Sequence, residues 1–322
     1  MALPAVRGVT ISCQTWGREW GTDAFAAELD VLAGLGASWV AIHPYATVRA
    51  DGSLSWRPID PAAPPAWLAR PVREAHARGL ALLVKPHLAY WGSPFRWRGE
   101  IEFAEPAARE RFWADYTSWM RAVVAATEGA DAVAVGTELD RMLGEETRWR
   151  ELIVELRELT PARLTYAANW DRVGEVGFWD ALDWVGVQAY FPLCETEDPP
   201  REALQAGWRP VLEGLRALHR ETGKPVVFTE LGYDLSLVAA RRPWESGRVA
   251  EEAVPAAAAL QARCLEVGLE VLAAERAWLR GAFLWKWFAG PAPGSDFRLE
   301  APRMQAVIES AWAPPDGDGS GG

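Results

Sequence analysis

Two hydrophobic periods alternate along the chain. Short apolar runs, rich in Val, Ile, Leu and Ala, are each followed by a longer stretch whose apolar positions recur every three or four residues. The short runs predict strands at 8–14, 39–44, 81–87, 132–138, 163–170, 184–190, 225–231 and 281–288. The longer period predicts helices at 23–35, 65–78, 105–127, 148–160, 201–222 and 254–278. Strands separated by helices imply βαβ units and a parallel sheet. Eight of them imply closure, so the chain is expected to be α/β, a single (β/α)8 TIM barrel.

Local signals agree with this partition. Gly79 stops a helix before the third strand, Pro161 before the fifth, and Gly223 with Pro225 before the seventh. Between the fifth and sixth strands only 177–182 is free to form a very short helix. No internal repeat, low-complexity linker or shift in composition divides the chain, so residues 1–313 are expected to form one barrel. The Gly- and Asp-rich segment 314–322 is expected to be a disordered tail.

Composition narrows the partners. The chain has 322 residues, of which half are apolar, enough for one large core. A formal net charge of −11 and the lack of any Lys- or Arg-rich run argue against nucleic acid. No apolar run is long enough to span a membrane. The N-terminus shows no basic segment followed by an apolar one, so the expected location is cytoplasmic, or secreted if a signal has been removed. Cys13, Cys194 and Cys264 are odd in number and far apart, which fits neither a disulfide framework nor a zinc site. The 19 tryptophans exceed what a core ordinarily uses. Any surplus suits carbohydrate, because a flat aromatic face stacks on the C–H face of a sugar ring.

In a parallel barrel, functional side chains come from the C-terminal strand ends and the loops that follow. In order these are Gln14 and Trp16, His43 and Tyr45, Lys85 and His87, Glu138, Asn169 and Trp170, Gln188 and Tyr190, Glu230, then Trp285 and Trp287. Glu138 and Glu230 end the fourth and seventh strands. Two carboxylates across one pocket are the minimum equipment for cutting a glycosidic bond, one to protonate the leaving oxygen and one to attack or stabilise the anomeric carbon. Period-two alternation puts Gly136 and Ala134 on the face of Glu138, and Phe228 and Val226 on that of Glu230. The competing reading is that each glutamate caps a helix or pairs with an arginine.

Other chemistries find less support. The four histidines form no His-x-His or His-Glu-x-x-His pattern, so no metal is expected, and no Gly-rich phosphate or dinucleotide loop stands out. A strand-borne lysine would suit Schiff-base chemistry. Alternation sets Lys286 opposite Trp285 and Trp287, which leaves Lys85 as a donor to a sugar hydroxyl.

Several segments together resemble glycoside hydrolase family 113, β-1,4-mannan-degrading enzymes in a large clan of retaining barrel glycosidases. They are Leu83-Val-Lys-Pro-His87, Trp97-Arg-Gly-Glu-Ile101, Val135-Gly-Thr-Glu-Leu139 and Leu164-Thr-Tyr-Ala-Ala-Asn-Trp170, followed by Ala189-Tyr-Phe-Pro-Leu193, Gly223-Lys-Pro-Val-Val-Phe-Thr-Glu-Leu-Gly-Tyr233 and Trp285-Lys-Trp287. The resemblance implies that Glu138 is the acid/base and Glu230 the nucleophile. It also implies that Tyr190 hydrogen-bonds the nucleophile and that Trp285 floors the first sugar subsite. Thr137 stands where the clan commonly has Asn, Gln188 where Asp is expected, and 289–299 matches poorly.

The expected activity is therefore a retaining hydrolase that cleaves β-1,4-linked mannan or manno-oligosaccharides by double displacement. Glu138 and Glu230 are the expected catalytic pair, and no metal or organic cofactor is expected. Trp16, His43, Lys85, His87, Asn169, Tyr190 and Trp285 are the expected substrate-binding residues. Two alternatives stay open: a β-mannosidase, β-glucosidase or xylan-active enzyme on the same barrel, and a non-catalytic carbohydrate-binding barrel. Endo or exo action and oligomeric state have no readable signature in the sequence.

Overall fold

The computed structural model describes residues 5–245, 247–290 and 297–313, so the segment 314–322 lies outside the described residues. Eight strands form the barrel: β1 Val6–Ser12, β2 Trp39–Ile42, β3 Ala81–Val84, β4 Ala132–Thr137, β5 Arg163–Asn169, β6 Trp184–Gln188, β7 Val226–Leu231 and β8 Leu279–Phe288. Each pairs in parallel with the next, and β8 returns to pair with β1. The chain is a (β/α)8 TIM barrel.

The outer layer is made of helices α1 Asp23–Gly34, α2 Ala66–Ala77, α3 Pro106–Ala126, α4 Glu146–Leu159, α5 Arg201–Thr222, α6 Val254–Ala274 and α7 Pro302–Trp312. Their ends follow local chemistry. The Thr22 hydroxyl accepts from the Phe25 amide at the start of α1, and prolines open α3, α6 and α7, where a missing N–H costs nothing. Gly223 ends α5 in the left-handed region at φ 66°. Between β5 and β6 the chain has only two short 3-10 turns, Val173–Glu175 and Trp179–Ala181. No helix among the described residues is long and apolar enough to cross a membrane.

One predicted strand divides. β3 stops at Val84, and the chain resumes as a strand at His87–Ala89, parallel to Tyr45–Val48, which in turn pairs antiparallel with Leu54–Trp56. Pro44 and Pro86 cause the break, because neither can donate to the ladder. The His87 amide instead donates to the Pro44 carbonyl at 2.8 Å. Asp51-Gly52 turns the added hairpin, a signal present in the sequence, and Gly52 adopts φ 84° there.

The barrel interior is filled at its N-terminal end by Val6, Trp39, Ala41, Ala81, Leu83, Ala132, Trp184, Val227 and Phe283. Trp39 meets Trp184 edge-on at 5.6 Å and Phe283 at 5.9 Å. That plug closes the barrel interior at its N-terminal end. Trp20, Trp119, Trp149 and Trp208 are fully buried between barrel and helices, so much of the tryptophan excess is packing.

Three strands carry a register shift where they approach the mouth. Between paired positions, β4 advances from Ala134 to Thr137 while β5 advances from Thr165 to Ala167. β7 advances from Phe228 to Glu230 against a single step on β6, and β8 from Leu284 to Trp287 against Val9 to Ile11 on β1. Each shift inserts one residue and turns the side chains beyond it. The alternation expected from the sequence therefore fails at these points. Gly136 faces the helix layer, where an added Cβ would lie 2.7 Å from the Trp149 and Tyr166 rings. Val226 and Phe228 join the outer layer, and Phe228 stacks on Trp208 at 5.9 Å.

Gly136→Ala should thus lower unfolding stability by about 1–3 kcal/mol, because neither buried ring has room to retreat. Denaturant titration checks this. An unchanged midpoint would mean that the aromatic layer yields freely.

Candidate active site

Glu230 follows the register shift of β7 and is almost fully buried, at 4% exposure. Its carboxylate receives two direct donors. The Lys85 ammonium, from the end of β3, donates to Oε1, and the Tyr190 hydroxyl, just past β6, donates to Oε2 at 2.5 Å. Lys85 also donates to the Thr229 carbonyl at 3.2 Å. His87 Nε2 lies 3.8 Å from Oε1. Burial pulls the Lys85 ammonium below its ordinary range, against the attraction of Glu230. Burial drives the Tyr190 hydroxyl well up, and the neighbouring Glu230 charge adds to it. An ion pair so enclosed holds only while both partners are present.

His43 and His87 lie beside this ion pair, stacked at 5.0 Å between ring centroids. Both are held well below the ordinary histidine range, by burial first and then by nearby cations, Lys85 for His43 and Arg98 for His87. Trp285 sits over this layer, 5.4 Å from His43 and 6.1 Å from His87, with the Lys85 ammonium 5.1 Å from its ring. The sequence reading placed Lys85 against a sugar hydroxyl. In the structure its side chain is wholly enclosed and is committed to Glu230 and Thr229.

Glu138 stands just past β4 with φ 54°, an uncommon backbone state for a residue with a side chain and one that clusters at functional sites. β5 holds this turn from both sides. The Glu138 amide donates to the Ala167 carbonyl at 2.9 Å, and the Leu139 amide to the Tyr166 hydroxyl at 2.8 Å. Thr137 is fixed by its own hydroxyl, which donates to the Pro86 carbonyl at 3.1 Å. The Glu138 carboxylate accepts from the Arg98 guanidinium. Lys85 and Tyr190 each feel the charge of both glutamates, so the two carboxylates share one electrostatic site.

The remaining expected residues occupy distinct places around this centre. Asn169, ending β5, donates to both carboxylate oxygens of Asp140 at 3.0 Å. Trp16, after β1, is half-buried, edge-on to Trp67 at 5.1 Å, with Arg57 4.7 Å over its ring. Tyr45 bridges His43, at 5.2 Å, and the exposed Trp91, at 5.7 Å. Trp170 stacks at 6.0 Å on Trp244, which is 45% exposed. Gln188 is buried and accepts from the Thr229 hydroxyl at 2.9 Å.

The strand-eight expectation needs correction. Trp285 and Trp287 do not share a face: the Trp287 indole points to the helix layer and donates to Glu28 at 2.8 Å. The Lys286 ammonium, expected on the far side, lies 5.6 Å from the Trp285 ring. The inserted residue between the Leu284 and Trp287 pairings breaks the period of two. The Trp285–Lys286 peptide bond is cis.

Sequence reasoning missed Arg98 and Asp140. Arg98 belongs to the 3-10 turn Arg98–Glu100, deep in a loop where no periodicity marks it, although it lies inside one of the quoted motif segments. Asp140 opens the turn Asp140–Met142, two residues past Glu138. A cleft of about 610 Å3 runs between these two loops, lined by Phe95, Glu102, Phe103 and Arg141 among others. Among the described residues no group of three His, Cys, Asp or Glu side chains is arranged to hold a metal ion.

The family profile described as Glycoside Hydrolase Family 113 matches residues 9–296. The chain belongs to this family. Its fold is similar to that of the family-113 β-mannanase AaManA from Alicyclobacillus acidocaldarius, solved in complex with ManMIm, at TM-score 0.81 and 24% identity over 96% of this chain and 97% of that one. A family-113 β-1,4-mannanase complex superposes at TM-score 0.80 with 19% identity, covering 96% and 99%. A family-5 mannosidase from Rhizomucor miehei, an E202A mutant bound to mannosyl-fructose, follows at TM-score 0.63 and 10% identity, covering 96% and 93%. No curated protein matches the sequence significantly.

Within this family-113 site Asp140 offers a test through pH. Its carboxyl is pushed up to about 7, by burial first, with the Asn169 hydrogen bonds opposing and the charges of Glu138 and Asp171 adding. An unfolded aspartate titrates near ~3.9. Between those values the folded chain holds a proton that the unfolded chain has lost, so stability falls as pH rises through the window. Asp140→Asn removes the penalty, and its Tm relative to wild type should rise from pH ~5 to pH ~8. A difference that stays constant across this range would show that Asp140 titrates normally.

Proposed function

We propose that this family-113 enzyme is a retaining glycosidase that cleaves β-1,4-linked mannan or manno-oligosaccharides by double displacement. The carrying observation is two carboxylates in one electrostatic site, each with its own hydrogen-bond donors. Glu230 is buried and bound by an ammonium and a phenol hydroxyl, whereas Glu138 is presented on a left-handed turn beside an arginine. A double displacement uses two such carboxylates, one to attack the anomeric carbon and one to move the proton.

In the first step a Glu230 oxygen attacks the anomeric carbon. The bond to the leaving sugar breaks, its electron pair goes to the glycosidic oxygen, and Glu138 supplies the proton. In the second step water attacks the same carbon, Glu138 takes the water's proton, and Glu230 leaves as carboxylate. Two inversions give net retention. Tyr190 and Lys85 hold the Glu230 carboxylate while it waits and release it as its charge passes into the new bond. In this reading Trp285 supports the ring of the attacked sugar, and Trp91, Trp170 and Trp244 serve sugars beyond it; their aromatic faces around His43 and His87 and on the loops above support it. The choice of mannan as substrate is supported by family membership and by the β-mannanases of similar fold.

Incubation with mannohexaose, followed by chromatography and early-time NMR, tests the reading. Shorter products in the β-anomeric configuration are expected. Glu138→Ala and Glu230→Ala should each lower turnover by about 10³-fold or more while the fold survives. Cleavage of a different β-glycan alone would move the substrate assignment. Near-native activity of Glu230→Ala on an activated aryl glycoside would end the mechanism.

A further inference from the structure

Arg98 is the direct partner of the Glu138 carboxylate, yet the double displacement as written gives it no part. It is held among other groups and mostly buried. Its side chain is 14% exposed, its Nε–H donates to the Leu88 carbonyl at 3.3 Å, and its guanidinium lies 5.9 Å from the Tyr90 ring. The turn around it is tied down at several points. Arg96 pairs with Glu100, Glu102 pairs with Arg141 of the turn after Glu138, and the Trp97 ring covers Gly99, where a Cβ would come within 2.1 Å of it. Burial works against the Arg98 charge, but Glu138, Tyr45 and Glu230 more than restore it, so the cation is permanent.

We propose, on the reading of Glu138 as acid/base, that Arg98 is its positioning residue, a fixed cation that stabilises the carboxylate formed when Glu138 gives up its proton. Of the two glutamates, Glu138 accepts from Arg98 and Glu230 from the Lys85 ammonium. During the first step the proton passes from Glu138 to the leaving oxygen, which takes the electron pair of the broken bond. The negative charge then appears next to the guanidinium, in a place where water screens little. The second step runs the other way: Glu138 takes a proton from water, loses its charge, and Arg98 opposes the change. Arg98 therefore speeds departure of leaving groups that need a proton and does little for those that do not.

A merely structural arginine would affect both kinds of leaving group alike, which supplies the test. The kcat/KM of wild type, Arg98→Gln and Arg98→Lys would be measured against pH on mannohexaose and on a dinitrophenyl β-mannobioside, whose leaving group departs unprotonated. Arg98→Gln should lose about 10²-fold on mannohexaose and far less on the dinitrophenyl substrate. Its alkaline limb on mannohexaose should move to higher pH, because without the cation Glu138 keeps its proton longer. Arg98→Lys keeps the charge but not the planar fork, so it should recover part of the rate and shift the limb less. That variant also carries the test should Arg98→Gln fail to fold. Equal losses on both substrates, or an alkaline limb that stays in place, overturn the role of Arg98. If Glu138→Ala still cleaves mannohexaose, the proposed function itself falls. A dead Glu138→Ala beside an unmoved limb in the Arg98 variants sinks this inference alone.

Discussion

Glu230 lies at a depth where an unpaired carboxylate charge would cost several kcal/mol, and the groups around it answer that demand. Lys85 answers it from β3 and Tyr190 from beyond β6, so two strands far apart in the chain meet at one side chain. Much else follows from this contact. The ammonium beneath Trp285 helps hold both His43 and His87 below the ordinary histidine range, and the two rings pack flat against each other. A polar layer of this kind tolerates substitution poorly, because removing either member of the pair strands the other.

Bringing those groups together required breaking the regularity of the strands that carry them. A strand with an undisturbed period of two sends alternate side chains inward, and neither Glu138 nor Glu230 follows from that count. The extra residues in β4, β7 and β8 lie at 135–136, at Thr229 and at 285–286, each next to a residue of the site. Gly136 belongs to the same device, since its missing side chain lets Trp149 and Tyr166 close against the displaced strand. The Tyr166 hydroxyl then holds the Leu139 amide, which couples helix-layer packing directly to the turn that presents Glu138.

The tryptophans divide along the same boundary between support and function. Trp39 and Trp184 plug the barrel below, and Trp20, Trp119, Trp149 and Trp208 weld it to its helices. Trp91, Trp97 and Trp244 are exposed in part, and each lies on a loop that follows a strand's C-terminal end. A rigid floor with aromatic faces above it suits a ligand whose ring faces are apolar and whose edges carry hydroxyls.

The sequence by itself determined the barrel, since eight apolar strand runs separated by helical ones leave few other ways to bury both faces of a parallel sheet. It also marked the two glutamates, because strand ends in such a barrel open on one mouth, and it marked Tyr190 and Trp285 through a resemblance spread over the whole chain. Only the tertiary structure decided how these residues face. Register shifts of one residue leave no trace in a hydrophobic period, so the faces assigned to Gly136, Val226, Phe228, Lys286 and Trp287 came out reversed. Only the tertiary structure could bring Arg98 to Glu138 and Asn169 to Asp140. Those partners lie 40 and 29 residues apart, one pair joined through an irregular loop, and no local pattern encodes a meeting that depends on how loops close over a finished barrel.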